Sequence, residues 1–114
     1  MEDLKIEALD SISGARILKL SGPLTIRTLF DFQRVARQPS EKPVIVEVSA
    51  VPYMDSAGLG CVISVYTSCQ RDHRGFGLVG VADRIRTLFA VTRVDGILPC
   101  FATLEEAEAA VTKQ

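Results

Sequence analysis

A chain of 114 residues, 47% hydrophobic and 24% charged, has the length and composition of one globular domain. Thirteen basic and fourteen acidic side chains give a net charge of −1, so no basic surplus is available for nucleic acid or a membrane surface. The three cysteines form no CxxC pair, and no segment resembles a leader or a membrane span, which predicts a cytoplasmic protein in a reducing compartment.

The first half of the chain predicts two strands, a helix and a third strand. Residues 4–8 alternate apolar and polar, and residues 15–20 follow a turn as a second strand, paired with the first as a hairpin. Thr25 is a candidate N-cap for a helix over about 25–37. The β-branched run at 43–48 is typical of a strand that is covered on both faces.

The second half of the chain alternates helices with strands. A long helix begins at Asp55 or Ser56 and ends near residue 73, with Gly75 as its candidate C-cap. After it we expect a strand at 76–81, a short helix capped by Asp83, an edge strand at 97–101 and a last helix that Thr103 opens with Glu106 at capping-box spacing.

This order of elements predicts the fold class. Strands that alternate with helices form an α/β domain with right-handed crossovers. We expect a mixed, mostly parallel sheet of about five strands with about four helices, in one domain over residues 1–114. The first strand is the antiparallel exception.

The sequence offers little for catalysis or for metal and cofactor binding. His73 is the only histidine, and its place at a helix end predicts a solvated side chain. With separated cysteines, no zinc constellation exists, and the motifs GxxxxGK[ST], GxGxxG and GxSxG do not occur. We therefore expect no catalytic residue, no metal and no cofactor.

The segment from Met54 to Gly60 has unusual composition for the start of a helix. It follows a buried strand, at the sheet edge where α/β proteins meet ligands and partners. Its first turn offers unpaired N–H groups and a partial positive charge. Gly58 and Gly60 lie in that turn, although glycine costs up to about 1 kcal/mol in a helix interior.

Two interpretations of this segment remain open. In the structural one, Ser56 or Asp55 only caps the helix, and the glycines allow tight packing on the sheet. In the functional one, the small residues let another protein's active site reach the Ser56 hydroxyl. A phosphate there would lie over free N–H groups and add about −1.5 to −2 charges, changing binding without unfolding the domain.

Six segments carry a resemblance to a known family, and they are spread in register over nearly the whole chain. They are residues 17–24, 44–48, 53–60, 77–81, 86–89 and 96–98. Met-Asp-Ser-x-Gly-Leu-Gly, within 53–60, is the specific part. On these residues the chain resembles the STAS domain family, and within it the stand-alone bacterial anti-sigma factor antagonists.

The resemblance implies a non-catalytic binding protein that phosphorylation switches. Such proteins bind an anti-sigma factor that is also a serine kinase, and thereby free a sigma factor. The kinase phosphorylates the serine that maps to Ser56, the partner is released, and a PP2C-type phosphatase resets the cycle. Asp55 maps to the aspartate that orients the serine or contacts the kinase. The partner surface then comprises Ser21, Gly22, Pro23, Leu24, Thr25, Met54, Asp55, Ala57, Gly58, Leu59 and Gly60.

The loop after the second strand departs from the family pattern. In the family it often reads Gly-Glu-Leu-Asp, and its acidic residues help meet the kinase, whereas residues 22–25 here read Gly-Pro-Leu-Thr. A missing charge at such a contact alters partner choice and on-rate. Just downstream, Ile26 and Phe30 either offer an apolar contact instead or pack beneath a neighbouring loop.

Three other functions compete with the switch. The first is a STAS scaffold without phosphorylation, in a larger sensory or transport assembly. The second is a nucleotide-binding STAS domain that uses the same helix N-terminus for a phosphate. The third, an enzyme, ranks last because the sequence offers no identifiable base, metal site or cofactor loop.

Overall fold

A computed structural model describes residues 3–112, which form a five-stranded sheet and four helices. The strands are β1 (Lys5–Asp10), β2 (Arg16–Ser21), β3 (Val44–Ala50), β4 (Phe76–Val79) and β5 (Cys100–Phe101). The helices are α1 (Leu29–Ala36), α2 (Ser56–Arg71), α3 (Asp83–Val91) and α4 (Leu104–Val111).

The sheet has the strand order β1-β2-β3-β4-β5. β1 pairs antiparallel with β2, and every following pair is parallel, so the predicted fold class is confirmed. Because β2 to β5 follow one another in one direction, crossovers of one hand carry α1, α2 and α3 over the same face. β5 lies at the sheet edge, as predicted.

The two faces of the sheet bury different helices. Successive strand residues point to opposite faces, so Leu18 and Val46 pack with α1, α2 and α3, whereas Ile17 and Ile45 pack with α4. This burial on both faces explains the nearly continuous apolar sequence of β3.

Of the four predicted helix starts, two were wrong, and those of α2 and α4 were right. The helix predicted from Thr25 begins at Leu29 and is preceded by a turn, in which the Thr25 carbonyl accepts from the Thr28 and Leu29 N–H groups. Asp83 is the first residue of α3 and makes no side-chain cap bond. In α4, the Thr103 hydroxyl accepts from the Glu106 N–H at 3.1 Å, which confirms the predicted cap.

The predicted C-cap at Gly75 was also wrong. α2 ends at Arg71, and the residue with left-handed backbone is the exposed His73, at φ 59°. Gly75 has a different role, because a Cβ there would collide with the Val111 carbonyl oxygen at the end of α4. Tight packing between a strand start and a helix end therefore requires that glycine.

Candidate functional site

The loops that follow β2 and β3 meet at one edge of the sheet, because the two strands are parallel. Leu24 and Met54 form a parallel β-bridge across them. The Leu24 N–H donates to the Tyr53 carbonyl at 3.0 Å, and the Asp55 N–H donates to the Leu24 carbonyl at 3.3 Å. The loop after β2 is therefore held against the start of α2.

The Asp55 side chain joins these two loops. It is the N-cap of α2, and its Oδ1 accepts from the Gly58 N–H at 2.8 Å. Its Oδ2 accepts from the Ile26 N–H at 3.0 Å, across 29 residues of sequence. Of the two candidate caps, Asp55 fills the role, and each of its carboxylate oxygens accepts a backbone N–H.

Ser56 is the first residue of α2, and its side chain is exposed. Its hydroxyl makes no hydrogen bond with any residue from 3 to 112, and the N–H groups of Ser56 and Ala57 have no acceptor in that range. The hydroxyl therefore lies at the positive end of a helix dipole without a structural role in the cap.

The two glycines of the first turn have different surroundings. A Cβ on Gly58, which is buried, would collide with the Leu24 carbonyl oxygen. A Cβ on Gly60, which is exposed, would meet nothing within 4 Å. Tight packing thus accounts for Gly58 alone, and Gly60 leaves the surface beside Ser56 low and open.

The predicted partner residues divide into buried and accessible sets. Leu24, Met54 and Leu59 are buried in the core, and Gly58 lies beneath Leu24, so these four support the surface without presenting side chains to a partner. Gly22 shapes the loop through its positive φ of 110°. The accessible positions are the exposed Ser21, Ser56 and Gly60 and the half-buried Gly22, Pro23, Thr25, Asp55 and Ala57.

Three large apolar side chains are exposed on the same loops and on the start of α1. Ile26 is 57% exposed, Phe30 63% and Tyr53 47%. The interpretation that Ile26 and Phe30 pack beneath a neighbouring loop is therefore wrong. Sequence reasoning did not assign Tyr53 to the surface. Its position just beyond a buried strand, outside that strand's apolar run, was the available signal.

Metal ligation, thiol reactivity and membrane spanning can each be examined in the described residues. Between residues 3 and 112 no group of His, Cys, Asp or Glu side chains is placed to hold a metal ion. Burial raises the pKa of the Cys61 and Cys69 thiols, which keeps both protonated and unreactive. Over the same residues, no helix is both long and apolar enough to cross a bilayer.

Known proteins resemble the chain in sequence and in fold. Residues 5–107 match the sequence profile of the STAS domain. A Staphylococcus aureus protein named anti-sigma-B factor antagonist is 29% identical over 84 residues, which cover 71% of this chain and 78% of that protein.

Two solved structures share the fold. An anti-sigma factor antagonist from Mycobacterium paratuberculosis matches with a TM-score of 0.83 at 23% identity, over 97% of this chain and 96% of that one. An anti-sigma-factor antagonist (STAS) domain protein from Planctomyces limnophilus matches with a TM-score of 0.78 at 17% identity, over 95% and 98% of the two chains.

Proposed function

The chain belongs to the STAS domain family, and from that premise we propose that it is an anti-sigma factor antagonist switched by phosphorylation of Ser56. It acts by binding rather than by catalysis. The observation that carries the proposal is the Ser56 hydroxyl, which is exposed and makes no hydrogen bond within the described part of the chain, while the neighbouring Asp55 supplies the cap.

The partner is an anti-sigma factor that is also a serine kinase. It docks on what we name the switch surface, formed by Ser56, Gly60, Ile26, Phe30 and Tyr53. Grouped exposed apolar side chains mark protein interaction sites. Since residues 22–25 carry no carboxylate, this contact depends on burial of apolar area more than on charge pairing, and so it depends weakly on salt.

Phosphorylation reverses the binding through charge. The N–H groups of Ser56 and Ala57, which have no acceptor among residues 3–112, can donate to a phosphate, so the fold tolerates the modification. A docked partner would have to bury about −1.5 to −2 charges against apolar side chains and beside the Asp55 carboxylate, which is costly. The partner therefore dissociates, and a PP2C-type phosphatase restores the binding form.

The direct test is phosphorylation by the cognate anti-sigma kinase with ATP, followed by mapping of the phosphate by mass spectrometry. We expect one phosphate on Ser56 and none on a Ser56→Ala variant. Ser64→Ala is the matched control, because Ser64 is an exposed serine of the same helix. Phosphate at another residue, or equal labelling of Ser56→Ala, would overturn the switch.

Partner binding separates the switch from the competing STAS functions. Wild-type affinity in both Ser56→Ala and Ser56→Asp would indicate a scaffold that phosphorylation does not regulate. Saturable binding of ATP or GTP at the Ser56 and Ala57 N–H groups would indicate a nucleotide-binding domain instead.

A further inference from the structure

A concave surface lies at the far end of α2 from Ser56, between the C-terminal ends of α1 and α2. Its volume is about 640 Å³, which is within the size range of small-molecule sites. Ser56 and Arg71 are separated by about 22 Å along the helix, so this surface is remote from the switch surface. We name it the arginine basin, after its lining residues Arg37, Arg71 and Arg74.

The basin is positively charged, although the chain as a whole is not. Three arginines and one aspartate, Asp72, line it, which gives a local charge of +2 in a chain of net charge −1. One cation near each helix C-terminus is the ordinary complement of the helix dipole. Two helix C-termini, those of α1 and α2, meet at the basin, so three guanidinium groups there are more than complementing the two helix dipoles requires.

The guanidinium groups of the basin have few partners. The Arg74 side chain is 12% exposed, and it reaches the Asp72 carboxylate and the Lys42 carbonyl only at 3.5 Å each. Its Nε is buried without a hydrogen-bond partner among the described residues. Arg71 contacts the Ser68 hydroxyl at 3.4 Å, and the Arg37 guanidinium bonds to nothing within residues 3–112. Most of the five donors on each group are unused.

We propose that the arginine basin binds a small organic or inorganic polyanion that carries at least two phosphate or carboxylate groups. Arginines from the C-cap of α1, from α2 and from the segment after α2 can each pair with an oxyanion, for which a planar guanidinium is well matched. Ser64, Thr67 and Ser68 add hydroxyl donors to the lining. Because no aromatic side chain lines the basin, nothing there would stack on a nucleobase.

The test is titration of the full chain with pyrophosphate and, separately, with citrate, followed by calorimetry and by amide NMR shifts. We expect saturable binding, with shifts confined to residues 33–40 and 64–74. The double variant Arg37→Gln/Arg71→Gln loses charge-assisted bonds to the anion and binds at least about tenfold more weakly. Both side chains are exposed, so the double variant is expected to fold.

Arg34→Gln is the matched control. It removes one positive charge, where the double variant removes two, from the last turn of α1, but Arg34 is 73% exposed, pairs with Asp31 and does not line the basin. Binding of pyrophosphate alone would identify a phosphorylated ligand, and binding of citrate alone a polycarboxylate. The proposal fails if neither probe saturates, if Arg34→Gln weakens binding as much as the double variant, or if the shifts lie at residues 56–60.

Discussion

The inner and outer sides of the first turn of α2 contrast in what they contribute. On the inner side, Gly58 and Leu59 are buried against the core, and Gly58 approaches the Leu24 carbonyl too closely for any side chain. On the outer side, Ser56 and Gly60 are exposed and meet no packing constraint. The first turn of α2 can thus pack against the loop after β2 and still leave the Ser56 hydroxyl without a role in stabilising the fold.

The largest effect that would test this contrast is expected from Gly58→Ala. The new Cβ collides with backbone, which cannot rotate aside, so the cost belongs near the upper end of the roughly 1–3 kcal/mol that overpacking causes. The gain in helix propensity, about 1 kcal/mol, recovers only part of it. Urea unfolding measures the change in unfolding free energy. A Gly58→Ala protein as stable as wild type would show that Gly58 is not closely packed against the Leu24 backbone.

Asp55→Ala comes next. It removes both the N-cap bond to Gly58 and the bond to Ile26, and we expect a loss of about 1–2 kcal/mol in unfolding free energy. Amide hydrogen exchange should accelerate at Ile26 as well as at Gly58. Faster exchange at Gly58 alone would mean that the bond between the two loops contributes nothing.

On the outer side, Phe30→Ala should weaken binding of the anti-sigma factor by at least about 1 kcal/mol while leaving the unfolding free energy nearly unchanged. Val91→Ala is the matched control, since Val91 is 76% exposed on α3 and is not part of the switch surface. Equal affinities of the two variants would remove Phe30 from the partner surface.

The smallest effect is expected from Gly60→Ala, which should raise the unfolding free energy, whereas Gly58→Ala lowers it. Because an added Cβ would meet no other part of the described structure within 4 Å beyond its own helix backbone and chain neighbours, alanine only gains helix propensity and should stabilise the protein by up to about 1 kcal/mol. Thermal unfolding of this variant beside Gly58→Ala gives the contrast directly. Destabilisation by Gly60→Ala would mean that both glycines serve packing.

Hydrophobic periodicity and local capping signals predicted most of the fold. The features that they did not predict depend on contacts between residues distant in sequence. Thr103 caps α4 by accepting from the N–H of Glu106, only three residues along the chain, so the spacing is visible in the sequence. α1 starts later than predicted while Ile26, just before it, donates to Asp55, a partner 29 residues distant. Gly75 is required by Val111 on another helix rather than by the helix it follows.

The same limit applied to the site. The sequence placed Ser56 at a helix start, but it left open whether Ser56 or Asp55 was the cap, because both residue types cap well. Burial of Leu24 and exposure of Phe30 depend on how two loops meet, which local pattern does not encode.

The most direct measurement of the central claim determines two quantities on one Ser56→Asp sample, the unfolding free energy and the affinity for the anti-sigma factor. We predict an unfolding free energy within about 0.5 kcal/mol of wild type, because the Ser56 hydroxyl has no partner to lose among residues 3–112. We predict that the affinity falls sharply. A loss of both stability and affinity would show that Ser56 stabilises the fold. Wild-type affinity would show that a negative charge at Ser56 does not regulate partner binding, and either result would contradict the account.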